Sequence, residues 1–269
     1  MNRMSIAAIV RRDLTVVARS RAVILPIILL PVIFFVLVPA LLSLAAGAIG
    51  NDLTELRDLI AAMPEAFRRD VIGLGASALF IVWVLEYMFA TLFLIIPIMT
   101  SAVIAADSFA GEKERKTLEA LVYTPTSDLE LYSGKVLGPW LAAVVVSTVG
   151  YAVFVIVATL FGGSIVGRPI ALTLHWLLFV LVVAPGVAAL AIGALVQVSA
   201  RVRGFQEAYQ LGGLVVLPLI VLLLGQLTGV LYLDLPAVLV IAALVWLVAT
   251  GFLAVGYRSF RRERLLIQL

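Results

Sequence analysis

The sequence predicts an all-α, polytopic membrane protein with six transmembrane helices, and three observations carry that prediction. Of the 269 residues, 64% are hydrophobic and only 13% are charged, more apolar surface than a soluble fold can hide. The apolar residues gather into six runs, each long enough to cross a bilayer. The basic residues between the runs are unevenly shared. Alternate segments carry five, four, two and four Lys or Arg, and the segments facing them carry three, one and none. No polar stretch exceeds about thirty residues, below the roughly fifty of a small domain. Residues 1–269 therefore read as a single membrane domain. Cysteine is absent, which excludes a disulfide framework, a thiol nucleophile and a Cys-ligated metal.

Residues 1–21 are basic, with Arg3, Arg11, Arg12, Arg19 and Arg21. On a helix, Ile6, Ile9, Val10, Leu14 and Val17 share one face and Arg11, Arg12, Thr15 and Arg19 the other, the pattern of an amphipathic helix in the membrane interface. Asp13 interrupts the apolar face. The first span, 22–46, contains Pro26, Pro31 and Pro39, which predict a kinked helix. An A-x-A-like site at Ala46–Ala48 follows it. The apolar run is too long for a cleaved leader, whose core is about 7–15 residues, so the segment reads as a span.

Residues 51–70 form a polar loop on the outer side, with a helix start at Asp52 and Glu55 and a stop at Pro64. The second span, 72–106, is longer than a bilayer needs and holds Glu86. The third span, 136–161, is followed by a turn at 162–169 with Gly162, Gly163 and Gly167. The fourth span, 171–198, carries Pro185-Gly186. A polar loop at 200–210 precedes the fifth span, 211–230, and a turn at Leu233–Pro236 precedes the sixth, 237–257. Six spans put both termini on one side. Fifteen of the nineteen basic residues lie there, so the positive-inside rule places the termini in the cytoplasm.

Residues 107–135 form a charged island between the second and third spans, on that same side. Gly111–Tyr123 has helical spacing, with Glu112 and Lys116, and Arg115 and Glu119, each four apart. Thr124-Pro125 ends this helix. Ser127, with Glu130 three residues on, opens the next as a capping box. The expected result is a rigid polar knob continuous with two spans.

Few residues carry chemistry. Gly111 with Lys116-Thr117 is a defective phosphate loop: the second glycine is missing and no strand precedes it. Glu86 is the one acid deep in a span. It reads equally as a substrate or cation contact and as a neutralised, interhelically bonded structural residue. Gln197 and Gln226 are further polar candidates along a substrate pathway, or simple interhelical hydrogen-bond formers. His175 stands alone beside Trp176 and reads as interfacial. There is no Ser/His/Asp set, no metal-ligand cluster and no basic aromatic groove for nucleic acid, so neither an enzyme nor a bound cofactor is expected. Membrane lipid is the expected surrounding.

The run G-E-K-E-R-K-T-L-E-A-L-V-Y-T-P-T-S at 111–127, with S-G-K at 133–135, resembles the loop between the second and third spans of ABC-type-2 permeases, including the sodium-efflux-like branch. Q-E-A-Y-Q-L-G-G-L-V-V-L-P at 206–218 is similar to that family's fifth-span start, with Tyr209 where glutamine is common. The resemblance implies the membrane subunit of a bacterial or archaeal exporter in the cell membrane. It implies a coupling helix made by Glu112, Glu114, Arg115, Lys116, Thr117, Leu118, Glu119 and Leu121, which docks on a separate ATP-binding subunit. ATP and magnesium would sit on that subunit, and a second permease subunit would complete the complex. Two other readings compete: a secondary transporter with Glu86 as its ion-coupling site, and a membrane anchor for another assembly.

Overall fold

The computed structural model describes residues 3–48, 65–115, 126–199, 201–202, 204–228 and 231–259. Among these the chain is helical, without strands. Helix α1 (Arg3–Arg19) precedes six apolar helices: α2 (Val23–Gly47), α4 (Ala76–Glu114), α5 (Asp128–Val166), α6 (Leu174–Ser199), α7 (Phe205–Leu227) and α8 (Leu235–Arg258), with the short α3 (Glu65–Asp70) before α4. Each of the six is long and apolar enough to cross a membrane, and the chain is a multi-pass membrane protein. The helix proposed for Gly111–Tyr123 and the one proposed after Asp52 fall largely or wholly outside the described residues.

Helices α4 and α6 form the centre. Leu85, Phe89, Phe93, Trp176, Phe179 and Val183 are buried there. Leu25, Ile28 and Leu29 of α2, Val221 and Leu224 of α7, and Leu244 and Leu247 of α8 are exposed. An apolar exterior is stable only against lipid or another apolar surface.

Several helix ends differ from the sequence expectation. Helix α4 does not stop at Ala106; it runs to Glu114 through a wide π turn at Asp107–Gly111. Polar residues there continue the helix because Asp107, Ser108 and Glu112 turn inward and are buried. Helix α7 begins at Phe205, so 205–210 is helix and not loop. Helix α5 continues through Gly162 and Gly163 and ends only at Gly167, whose φ of 79° caps it. A Cβ at Gly162 would lie 2.7 Å from Ile170; that glycine serves a close approach, not a turn. Ser127 caps α5 as expected, accepting from Glu130 N–H at 3.3 Å while Glu130 Oε2 accepts from Ser127 N–H at 3.1 Å.

Prolines account for much of the irregularity. A proline frees the carbonyl four residues back and clashes with it in a regular helix. That carbonyl belongs to Phe35 for Pro39 and to Leu181 for Pro185, and both lie in π turns, Ile33–Leu37 and Phe179–Val183. For Pro218 it is Leu214, inside the 3-10 turn Gly213–Val216. Pro26 and Pro31 sit in regular helix, so the break in α2 belongs to Pro39 alone. Two π turns have no proline to explain them. Val82–Met88 carries Glu86 and Asp107–Gly111 carries Asp107. Both lie in α4.

Helix α1 lies along the start of α5. Gly134, Gly138 and Ala142 recur every four residues on α5; the two glycines meet Ile9 and Asp13, four apart on α1, and Ala142 packs against the cluster that holds Val17. Register advances in the same direction on both helices, so they pack parallel. A Cβ at Gly134 would come within 2.8 Å of Ile9. Small residues at this spacing let two helices approach closely.

Candidate functional site

Where α1, α4 and α5 meet, the structure buries a cluster of charges. Lys135 of α5 is fully buried. Its Nζ donates to Glu112 Oε2 at 2.6 Å and to the Ser108 carbonyl at 2.7 Å, and lies 3.8 Å from Asp13 Oδ2. It also sits 5.6 Å from the Phe109 ring centre, within cation–π range. The other Glu112 oxygen accepts from Arg12 at 3.2 Å. Ser108 Oγ donates to Asp13 Oδ2 at 3.5 Å. Two cations thus face two carboxylates drawn from three helices. Burial pushes the Asp13 carboxyl above its ordinary value of 3.8, with Lys135 pulling the other way. The apparent flaw in the apolar face of α1 is a partner in this cluster.

The last turn of α4 is tied to the start of α7 as well. Glu114 Oε2 accepts from Phe205 N–H at 2.9 Å, and Lys113 donates to the Val202 carbonyl at 3.4 Å. A Cβ at Gly204 would fall 2.5 Å from Glu114 Oε2, so glycine is what lets the loop come this close. Arg115 donates to Asp107 Oδ1 at 2.9 Å, a bond that strengthens its hold on its proton. Tyr132 of α5 donates to the Leu253 carbonyl of α8 at 2.8 Å. The end of the bundle that carries α1 is one connected polar frame.

The opposite end is organised by Glu86. Its two oxygens accept from the two Arg168 nitrogens, each at 2.7 Å, and Oε1 also accepts from Ala171 N–H at 3.1 Å. Ala171 has φ of 62°, a left-handed conformation that costs a residue with a Cβ. It is held from both sides, since its carbonyl accepts from Tyr151 at 2.8 Å. Trp176 donates its indole N–H to the Glu86 carbonyl at 3.1 Å. Next door, Tyr232 donates to the Tyr87 hydroxyl at 3.1 Å and Gln226 to the Tyr87 carbonyl at 3.4 Å. The His175 ring lies beside Tyr87 and Phe179.

The sequence candidates therefore separate. Glu86 lies in the π turn Val82–Met88, and Gln226, on α7, donates to the Tyr87 carbonyl of that turn. Gln197 lies near the other end of α6, two residues before Ser199, and does not join them. Glu112 faces inward to Lys135, Glu114 to Phe205 and Arg115 to Asp107. Lys116, Thr117, Leu118, Glu119 and Leu121 lie outside the described residues, and with them the pairings of Glu112 with Lys116 and Arg115 with Glu119. Sequence reading missed Asp13, Lys135 and Arg168 as partners. The spacing of Gly134, Gly138 and Ala142 around Lys135 was the available signal for a helix packed there.

A comparison with curated proteins finds no match. A family model described as ABC-2 family transporter protein matches residues 7–236, which takes in both polar ends. The chain belongs to the ABC-2 family of transporter proteins, as a membrane permease of an ABC transporter.

Proposed function

We propose that this permease exports its substrate by alternating access, paired with a second permease subunit and driven by a separate ATP-binding subunit that docks on residues 107–135. The observation that carries the reading is the buried Lys135–Glu112–Asp13 cluster, with half-exposed Arg12 at its rim. It joins the helix before the docking segment, the helix after it, and α1. Separating any of the three strands a charge in a low-dielectric site, which costs about 3–5 kcal/mol. A push on the docking segment therefore moves α1, α4 and α5 together, and Glu114 passes the movement to α7 through Phe205.

In this reading the cluster and both termini face the cytoplasm, and α1 runs along the start of α5. Helix α5, at 39 residues, is about 58 Å long against a core of about 30 Å. It has length to spare for a projecting end that α1 covers. The chain supplies no catalytic group; ATP and magnesium belong to the partner. A gradient-driven carrier with Glu86 as its ion site is less well supported, because Arg168 and Ala171 already occupy both Glu86 oxygens.

The test is co-purification of the chain with an ABC-type ATP-binding subunit, followed by ATP turnover in lipid. Lys135→Met is expected to leave the complex assembled while ATP turnover no longer responds to substrate. Failure of any ATPase to associate, or transport that follows a proton or sodium gradient without ATP, would overturn the proposal.

A further inference from the structure

We propose that an anionic glycerophospholipid binds between α1 and α5, with its phosphate on Arg3 and Arg11 and an acyl chain along Leu137 and Leu141. A groove of about 750 Å³ lies there, with Ile6, Val10 and Leu14 on one wall and the two leucines on the other. Its lining is almost wholly apolar apart from the two arginines and Thr15. Helix α1 buries Ile6, Ile9 and Val17 against the protein but leaves Val10 and Leu14 half-covered. A second apolar surface is needed to complete their burial.

Two features identify the occupant. The first is continuity with the bilayer face. Leu137, Leu141, Val145 and Val149 are all exposed and recur every four residues on α5, so the groove opens directly onto an apolar stripe of a membrane span. That stripe covers about 18 Å of helix, close to one leaflet of a core of about 30 Å. A molecule that fills the groove and follows the stripe comes from the lipid. The second is charge. Arg3 and Arg11 are eight residues apart, on one face of α1, and both are exposed. Among the described residues neither has a carboxylate partner, whereas neighbouring Arg12 is taken by Glu112. Two unneutralised guanidiniums at the mouth of an apolar groove match a phosphate with an acyl tail. A zwitterionic headgroup brings a compensating cation to the same place.

The experiment uses the purified full chain in mild detergent, with phosphatidylglycerol or phosphatidylcholine of identical acyl chains, and counts retained lipid by native mass spectrometry. Phosphatidylglycerol should be retained about thirtyfold more tightly, from the attraction of two basic side chains. The double variant Arg3→Gln/Arg11→Gln should bring the two lipids level. Leu141→Trp, which fills the groove, should lower both. Arg19→Gln, away from the groove, should leave the preference intact. Equal retention by the unmodified chain overturns the proposal, as does a double variant that keeps its preference, or displacement of the lipid by inorganic phosphate. If the double variant does not fold, the unmodified chain and Leu141→Trp decide. A second copy is the other occupant of this face. Since the chain has no cysteine of its own, disulfide-linked dimers of Leu137→Cys that retain no lipid would assign the groove to that copy and overturn the lipid.

Discussion

Lys135 Nζ sits 2.6 Å from Glu112 Oε2, and this bond fastens the start of α5 to the end of α4 where neither side chain meets appreciable solvent. Replacing Lys135 by Met leaves Glu112 and Asp13 sharing one half-exposed arginine. The expected cost is about 3–5 kcal/mol of stability. The double variant Lys135→Met/Glu112→Leu should be less destabilised than the sum of the singles, because it removes the stranded carboxylate along with the cation. Thermal unfolding of the four chains in detergent measures the coupling. Strict additivity would show that the pair contributes nothing jointly.

Gly134 tests the docking of α1. Its missing side chain is what admits Ile9, so Gly134→Val should push α1 off α5 while the six apolar helices stay folded. Hydrogen exchange along Arg3–Arg19 should rise by about tenfold or more as the packing is lost. Unchanged protection in α1 would mean that the helix is held by other contacts.

Glu86 and Arg168 hold the turn at 167–171. Glu86→Gln keeps the shape but halves the acceptor capacity and removes the charge. The strained Ala171 should then lose its anchor, and its amide should exchange faster by about tenfold. Arg168→Gln should do the same, and the two changes together should add little. If Ala171 stays protected in both variants, Tyr151 alone suffices to hold it.

Asp13 makes a prediction in pH. Its carboxyl is raised above 3.8 by burial, against the pull of Lys135 and Arg12 and the Ser108 hydrogen bond, with Glu112 adding to the rise. A raised acid favours the protonated folded state. Its contribution is therefore complete below 3.8 and is lost as pH climbs through the folded value. Asp13→Asn should remove this slope, and its stability relative to the unmodified chain should improve as pH rises above about 4. A stability difference that does not change with pH would place the titration elsewhere.

The six spans were legible because lipid demands long apolar runs and nothing else in the chain is so apolar. Their ends were not, because hydropathy marks where charges begin and the helix does not stop there. Asp107 and Ser108 look like the end of a span, and Glu112 like the start of a separate polar helix, until Lys135 is placed against them. Glu86 was visible as an anomaly, but Arg168, 82 positions away, was legible only as one of the few basic residues on the sparse side. Asp13 looked like a flaw in an amphipathic pattern for the same reason: its partners come from α4 and α5. Helical periodicity describes one element at a time, and every one of these pairs joins two.

The wide turn at Asp107–Gly111 has an arithmetical result. Bonding from i to i+5 accommodates one residue more than an α turn, so everything after it is rotated by about 100° from where a regular helix would put it. A helical wheel drawn through the segment thus assigns Glu112 to the wrong side. Deleting one residue inside the turn would restore a regular helix yet leave that carboxylate facing the same ammonium group, because the deletion removes the same rotation of about 100° that the wide turn absorbs.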